Sequence, residues 1–237
     1  MADPTICFLD ANVLAAPATR TLVVVGARQD GLVAIWSAHA EAEADTHARP
    51  GAKPTSEVRQ TFLGMELSPS ASFTTGLATT SPADRQILSD AIAAGARFLI
   101  TVDVDDFAIE DLRTHRMSAV NPDYFMALRF TENAYRAGVA VLSFGMNNPA
   151  RTEADVHQLL GRRHPHLTER FRDVYARTPM DPDPDQPRVM FRGVSCIHCG
   201  EPLGTDREQL TGIHSSHGKR GSDSADSSSA ERSDRSG

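Results

Sequence analysis

The sequence predicts an α/β fold around a parallel sheet, and three observations support this. Short β-prone apolar runs, ICFL and FLI among them, lead into carboxylates at Asp10 and Asp103. Helix-start signatures lie between such runs, at Ser37 and in the Ser81-Pro82-Ala83-Asp84 stretch. Strand and helix patterns alternate in the βαβ rhythm of an α/β sheet. A chain of 237 residues, 40% of them hydrophobic, has material for one sizeable domain plus appendages.

Residues 5–9 read as a buried strand, short and apolar, ended abruptly by Asp10. Residues 17–30 suit a helix that Gly31 closes, and 32–36 a second strand. Ser37 then caps a helix carrying Glu41 and Glu43, which the Pro- and Gly-containing stretch 49–55 breaks. Residues 56–66 fit a helix, and 67–80 form a Ser/Thr-rich connection with room for a short strand. In the next helix Ser81 is the N-cap, Pro82 stands at N1 and Asp84 at N3, and Gly95 ends it. A strand over 98–102, a short helix over 107–115, a strand over 117–120 and a helix over 122–140 complete this part, the last with Tyr124, Phe125, Leu128 and Tyr135 for packing.

Beyond residue 145 the character changes. Thr152 and Asp155 form a capping box opening a helix with Val156, Leu159 and Leu160 on its apolar face, and Pro165 interrupts the pattern. The expected division is a principal domain over 1–145, a helical extension over 146–180, a stiff Pro/Asp linker over 181–190, a Cys/His segment over 191–217 and a disordered tail over 218–237.

The acidic groups carry the chemistry. In an open parallel sheet, ligands bind beyond the carboxyl ends of the strands. Carboxylates gathered there stay ionised together only if a cation neutralises them, and a hard divalent ion such as magnesium takes oxygen ligands. Each acid alone has a plain structural reading: Asp84 as an acceptor at a helix start, Glu41 or Glu43 on a solvated face, Asp103, Asp105 and Asp106 as a turn. Asp10 is different, because a charge closing a buried strand costs several kcal/mol without partners (~3 or more). Glu41 and Glu43 lie about 200° apart around a helix axis, so one of them faces the crevice.

FLDANVL, WSAHAEAE, SPADRQILSDAIAAGARFLITVDVDDF and NPDYFMAL, in that order over roughly residues 4–145, resemble a PIN-domain ribonuclease. The similarity is to the VapC-like toxins of bacterial toxin–antitoxin systems. The resemblance implies a three-layer α/β/α fold with a central parallel sheet and magnesium- or manganese-dependent hydrolysis of RNA. It places Asp10 at the first-strand aspartate, with Asn12 supporting it, and Glu43 at the family glutamate when the Trp36-Ser37 pair sets the register, Glu41 competing. It places Asp84 at the aspartate opening the fourth helix, Asp103 where relatives carry Asp or Asn, and Asp106 at the aspartate before Phe. The segment 49–80 departs from the family pattern. An antitoxin protein is the implied partner, and a homodimer is compatible with the resemblance. Arg85, Arg113 and Arg116 are candidates for phosphate contacts. A PIN-like module that binds RNA or protein without cleaving is the principal rival. FLDANV also loosely matches aspartate-dependent phosphatases, but the two lysines, Lys53 and Lys219, are poorly placed for the phosphate.

Cys196, Cys199, His214 and His217 form a second constellation, CIHCG with two histidines after it, the shape of a zinc knuckle. The alternative is a residual half-ribbon that binds no metal. Cys7, inside the first strand, reads as a core residue. A net charge of −7 argues against a binder driven by bulk positive charge. No signal-peptide pattern opens the chain, no apolar run reaches membrane-spanning length, and three cysteines fit a reducing compartment, so a soluble cytoplasmic protein is expected.

Overall fold

β1 (Ile6–Leu9) organises the sheet, pairing in parallel with β2 (Val33–Ile35) on one side and β3 (Phe98–Ile100) on the other. β3 pairs in parallel with β4 (Ser118–Val120), and β4 pairs antiparallel with β5 (Phe191–Gly193), giving the order β2-β1-β3-β4-β5. The computed structural model describes residues 4–62, 67–68, 70–71, 76–77 and 79–218. Cys7, Phe8, Leu9, Phe98, Leu99, Ile100, Ala119 and Val120 are all buried, as continuous apolar runs in a sheet covered on both faces must be.

In chain order the helices are α1 (Ala11–Leu14), α2 (Pro17–Gln29), α3 (Ala38–His47) and α4 (Thr55–Phe62), then α5 (Arg85–Ala93) and α6 (Ile109–Thr114). They continue as α7 (Pro122–Arg129), α8 (Glu132–Gly145), α9 (Glu153–Leu160), α10 (Pro165–Arg170), α11 (Asp206–Thr211) and α12 (Ser215–Gly218). A 3-10 turn, Val104–Asp106, links β3 to α6. Among the described residues no helix is long and apolar enough to cross a membrane.

The register makes the three central strands end level. Leu9 stands beside Ile100, and Ile100 beside Val120. The next residues continue the ladder: Asp10 N donates to Ile100 O (3.1 Å), Thr101 N to Val120 O (3.0 Å) and Asn121 N to Met190 O (2.9 Å). Asp10, Thr101 and Asn121 therefore form a row along the carboxyl edge of the sheet. That row flanks the point between β1 and β3 where the chain leaving β1 goes to β2 on one side and the chain leaving β3 goes to β4 on the other, the usual ligand position in this architecture.

Four expectations change. The helix expected over 122–140 is two helices. The carboxylate of Asp30 accepts from Thr131 N (2.8 Å) and Thr131 Oγ1 (2.6 Å), and the Thr131 hydroxyl in turn caps α8 by accepting from Ala134 N. Phe130 is extended at the break, its ring pressed on Gly26 of α2, where any Cβ would overlap it. At 81–84 the helix starts later, at Arg85, because the Ser81 hydroxyl is spent donating to the Asp84 carboxylate instead of capping.

The extension 146–180 belongs to the helical layer. Its capping box forms as expected, with Val156 and Leu160 buried but Leu159 turned to solvent. Tyr135 of α8 stacks on Phe171 (4.7 Å between centroids) and its hydroxyl meets His157 Nδ1 (2.7 Å). The buried Asp123 carboxylate caps α10, accepting from His166 N (3.0 Å) and Leu167 N (2.8 Å).

Finally, the Pro/Asp stretch does not uncouple the C-terminal segment from the sheet. Asp183 N donates to Arg162 O (2.9 Å), the Asp183 carboxylate pairs with Arg162 (2.8 Å), and the chain then supplies β5 to the sheet. The expected tail lies outside the described residues from position 219 onward.

Burial pushes the His164 imidazole down to about 4, from 6.5, with Nε2 on Thr19 Oγ1 (3.0 Å) and Nδ1 buried without a partner. A base depressed in the folded state stabilises it fully above the unfolded pKa, and this contribution is lost as pH falls from 6.5 towards 4. Denaturant titrations of wild type and His164→Gln should diverge in that window. The wild type loses up to ~3 kcal/mol that the variant does not lose. Parallel pH profiles would contradict a buried neutral His164.

Candidate active site

Asp10 stands at the carboxyl edge of β1, 8% exposed. Its Oδ1 accepts from Ala11 N (2.6 Å), while Oδ2 accepts from Thr101 Oγ1 (2.7 Å) and Asn12 Nδ2 (2.8 Å). Asn12 is the joint of the site: the same amide donates to Asp103 Oδ2 (2.9 Å), and Asn12 Oδ1 accepts from Val102 N (3.3 Å). Two carboxylates from different strand ends are thus held on one neutral donor. Asp103 N also donates to Thr101 Oγ1 (3.1 Å), which fixes the turn leaving β3.

Electrostatics place the remaining acids around this pair. Burial pushes the Asp10 carboxyl up to about 6; the bonds from Thr101 and Ala11 pull it back, and the negative charges of Glu43 and Asp103 add to the rise. Asp106 is raised by burial and by the neighbouring charges of Asp84, Asp103 and Asp105, with Arg192 opposing. Asp84 reaches the group because its loop is tied to α6. Asp111 accepts from Thr79 N (3.2 Å) and Thr80 N (2.8 Å), and Thr80 Oγ1 accepts from Ala108 N (3.2 Å). Asp10, Glu43, Asp84, Asp103 and Asp106 therefore share one face of the molecule. Their oxygens are spread: among the described residues no three carboxylates lie within 4.8 Å of one another.

The structure separates the two competing glutamates. Glu41 is committed inside the fold, Oε2 accepting from Trp36 Nε1 (2.9 Å) and from Arg59 Nε of α4 (3.0 Å). Glu43 is open, 3.7 Å from His39 Nε2 and 44% exposed, with its charge felt at Asp10. Ser37 caps the helix as the sequence suggests, and this fixes the rotation that sends one glutamate each way.

A cleft of about 590 Å³ adjoins the acids, lined by Asn12, Val102, Asp103, Asn121, His164 and residues 183–187, with Arg162 and Arg163 at its rim. Sequence reasoning misses these two arginines. A charge pair after a helix carries no local signal, and only the return of the 181–187 stretch across the sheet edge brings it to the site. Of the arginines expected at phosphate, Arg85 donates through Nε to Thr80 O (2.9 Å) and Arg113 through Nη2 to Gln209 Oε1 (2.9 Å). Arg116 sits in a positive-φ turn whose carbonyl accepts from Ser195 Oγ (3.3 Å).

Cys196, Cys199 and His214 come together, their ligand atoms within 4.8 Å of one another, a set able to hold a metal ion. His217, the expected fourth ligand, is outside this group, its ring 4.5 Å from that of His198 and 5.7 Å from that of His214. Cys7 is a buried core thiol, pushed up to about 12 by its surroundings.

The two glutamates predict unequal stability effects. Glu41→Ala should cost about 2–3 kcal/mol, because it removes a largely buried ion pair with Arg59 and the acceptor of the buried Trp36 Nε1. Glu43→Ala should stay within about 0.5 kcal/mol. Urea midpoints check both, and equal losses would contradict the assignment.

No family model, curated protein or solved structure matches this chain, so the reading of the site rests on its geometry and on the motifs in the sequence.

Proposed function

We propose that the protein is a metal-dependent endoribonuclease of the PIN type, hydrolysing RNA phosphodiester bonds. The observation that carries this reading is the Asn12-bridged pair of Asp10 and Asp103 at the carboxyl edge of a parallel sheet, with Glu43, Asp84 and Asp106 around it. Among the described residues Asp10, Asp84, Asp103 and Asp106 have no ion pair with Arg or Lys. An all-oxygen, net-negative donor set fits a hard divalent cation, the charge of Arg192 reaching it at Asp106. Asp10, Glu43, Asp84 and Asp103 are the residues we assign to magnesium or manganese, with Asp106 beside them. Such an ion supplies charge stabilisation to a phosphoryl group and acidifies water for attack.

The chain's own groups do the positioning. Asn12 donates to both carboxylates and so holds two like charges together, while Thr101 orients Asp10 from the neighbouring strand. The cleft beside them admits a nucleotide-sized group, and Arg163 in its lining offers positive charge to a phosphate backbone, Arg162 being paired with Asp183. Serving as the toxin of a toxin–antitoxin pair, with an antitoxin as partner, rests on the sequence resemblance alone. At the Cys196–Cys199–His214 cluster we assign zinc, since two thiolates and an imidazole suit that ion.

The spread of the carboxylate oxygens favours, as a second reading, a catalytically weak PIN-like module that binds RNA or protein. A phosphatase reading has little support, because Lys53 Nζ is paired with Glu57 on an exposed helix start (2.9 Å).

A cleavage assay on a generic single-stranded RNA with magnesium, manganese or EDTA separates the readings. Wild-type cleavage should require the metal, and Asp10→Asn and Glu43→Gln should each lose ~100-fold or more in rate while Glu41→Gln keeps most of it. RNA binding without cleavage in any metal would favour the second reading.

A further inference from the structure

We infer that the Cys196–Cys199–His214 site is a zinc clamp that positions the acidic turn through Arg192. The inference deepens the reading above and rests on it for the role of that turn. The ligand set is built around a tight knuckle: Cys196 N donates to Glu201 O (2.8 Å) and Gly200 N returns to Cys196 O (2.8 Å), with Gly200 at φ +79°. Both cysteines are free thiols, and Cys196 is fully buried.

The imidazole is also prepared. Glu208 Oε1 lies 3.6 Å from His214 Nδ1, so Nε2 is the nitrogen we assign to the ion. Glu208 is itself fixed, accepting from Ser215 N (2.9 Å), Gly204 N (3.1 Å) and Thr205 N (3.3 Å). A carboxylate on the outer nitrogen of a ligating histidine is the usual support that sets its tautomer and orientation.

What the ion would hold is β5. Three residues of edge strand give few ladder bonds, and a metal crosslink is a common substitute for a core in so short a segment. The clamp lies directly behind it. Ser118 Oγ of β4 accepts from Val194 N (3.0 Å) and Ser195 N (2.9 Å), one residue before Cys196. The backbone of β5 runs so close to β4 that a Cβ on Gly193 would overlap Ser118 Oγ.

From the middle of β5, Arg192 Nη1 donates to Asp105 O (3.1 Å) and Phe107 O (3.1 Å). Those carbonyls bracket Asp106 and come shortly after Asp103, and the Arg192 charge also acts on Asp106. Arg192 is therefore a positioning residue: it touches the backbone of the turn, and β5, held by the metal, places it there.

The test uses the full chain prepared anaerobically. Metal analysis should find about one zinc ion per chain, lost in Cys199→Ser, whose exposed side chain makes misfolding less of a risk than at Cys196. Hydrogen exchange should quicken at residues 191–195 and 103–108 together in that variant, with β1 and β3 unchanged. Arg192→Ala should keep its zinc yet quicken 103–108, and Arg192→Lys should restore part of the protection. Manganese affinity at the acidic site, read by electron paramagnetic resonance, should weaken ~10-fold in both Cys199→Ser and Arg192→Ala. Absence of zinc even after anaerobic reconstitution would overturn the clamp, as would zinc loss without any change over 103–108. A wild-type chain that binds no manganese would count against the nuclease reading alone, the zinc and exchange results still deciding the clamp.

Discussion

The charge on Asp10 is the constraint around which the site is built. Fixed at the end of β1 between two parallel neighbours, its carboxyl cannot leave the protein edge, and burial drives it up to about 6. Three donors reach it, Ala11 and Asn12 from the first turn of α1 and Thr101 from the end of β3. They offset part of the desolvation but bring no positive charge, while Asp103 and Glu43 add negative charge. Arg192 opposes the repulsion at Asp106, but Asp10 and Asp103 are gathered on a neutral bridge, an arrangement that suits a cation.

Much of this was legible in the sequence, for physical reasons that differ by residue. Asp10 closes a buried apolar run, so its placement followed once the run was a strand. That Glu41 and Glu43 point apart was legible because Ser37 caps the helix, and the cap fixes the angular position of everything after it; that Glu41 is the one held by Trp36 and Arg59 was not. Local rules failed where a distant group intervened. The Ser81 hydroxyl, a good cap by type, was taken by Asp84. The helix over 122–140 broke because Asp30, about a hundred positions earlier, captures Thr131 and the Phe130 ring fills the space over Gly26. Neither partner is visible in the local pattern.

The C-terminal third is where sequence reading was weakest, and the cause is topological. A Pro- and Asp-rich stretch looks like a spacer, yet its carboxylate at Asp183 has a fixed partner in Arg162 and its backbone walls the cleft. The Cys/His segment looks self-contained, yet Ile197 and Leu203 join the main core and Arg97 of the sheet donates to Gly200 O in the knuckle. Tyr124 of α7 donates to Thr211 O as well (2.9 Å). Sheet, acidic edge and knuckle are continuous in packing, so a change at one end has a physical path to the other through β5.

The central claim is that the acidic edge is a divalent cation site centred on Asp10, and metal-linked thermal stability tests it most directly. A ligand bound by the folded state alone stabilises it by RT ln(1 + [L]/Kd), so the melting temperature goes on climbing with the logarithm of concentration once the site is filled. Thermal melts at pH 7.5 in EDTA and across a manganese titration should show such a rise for the wild type. Asp10→Asn should melt at or above the wild type in EDTA, having lost an unfavourable buried charge, and should not respond to manganese. Equal manganese responses in the two proteins would contradict the account.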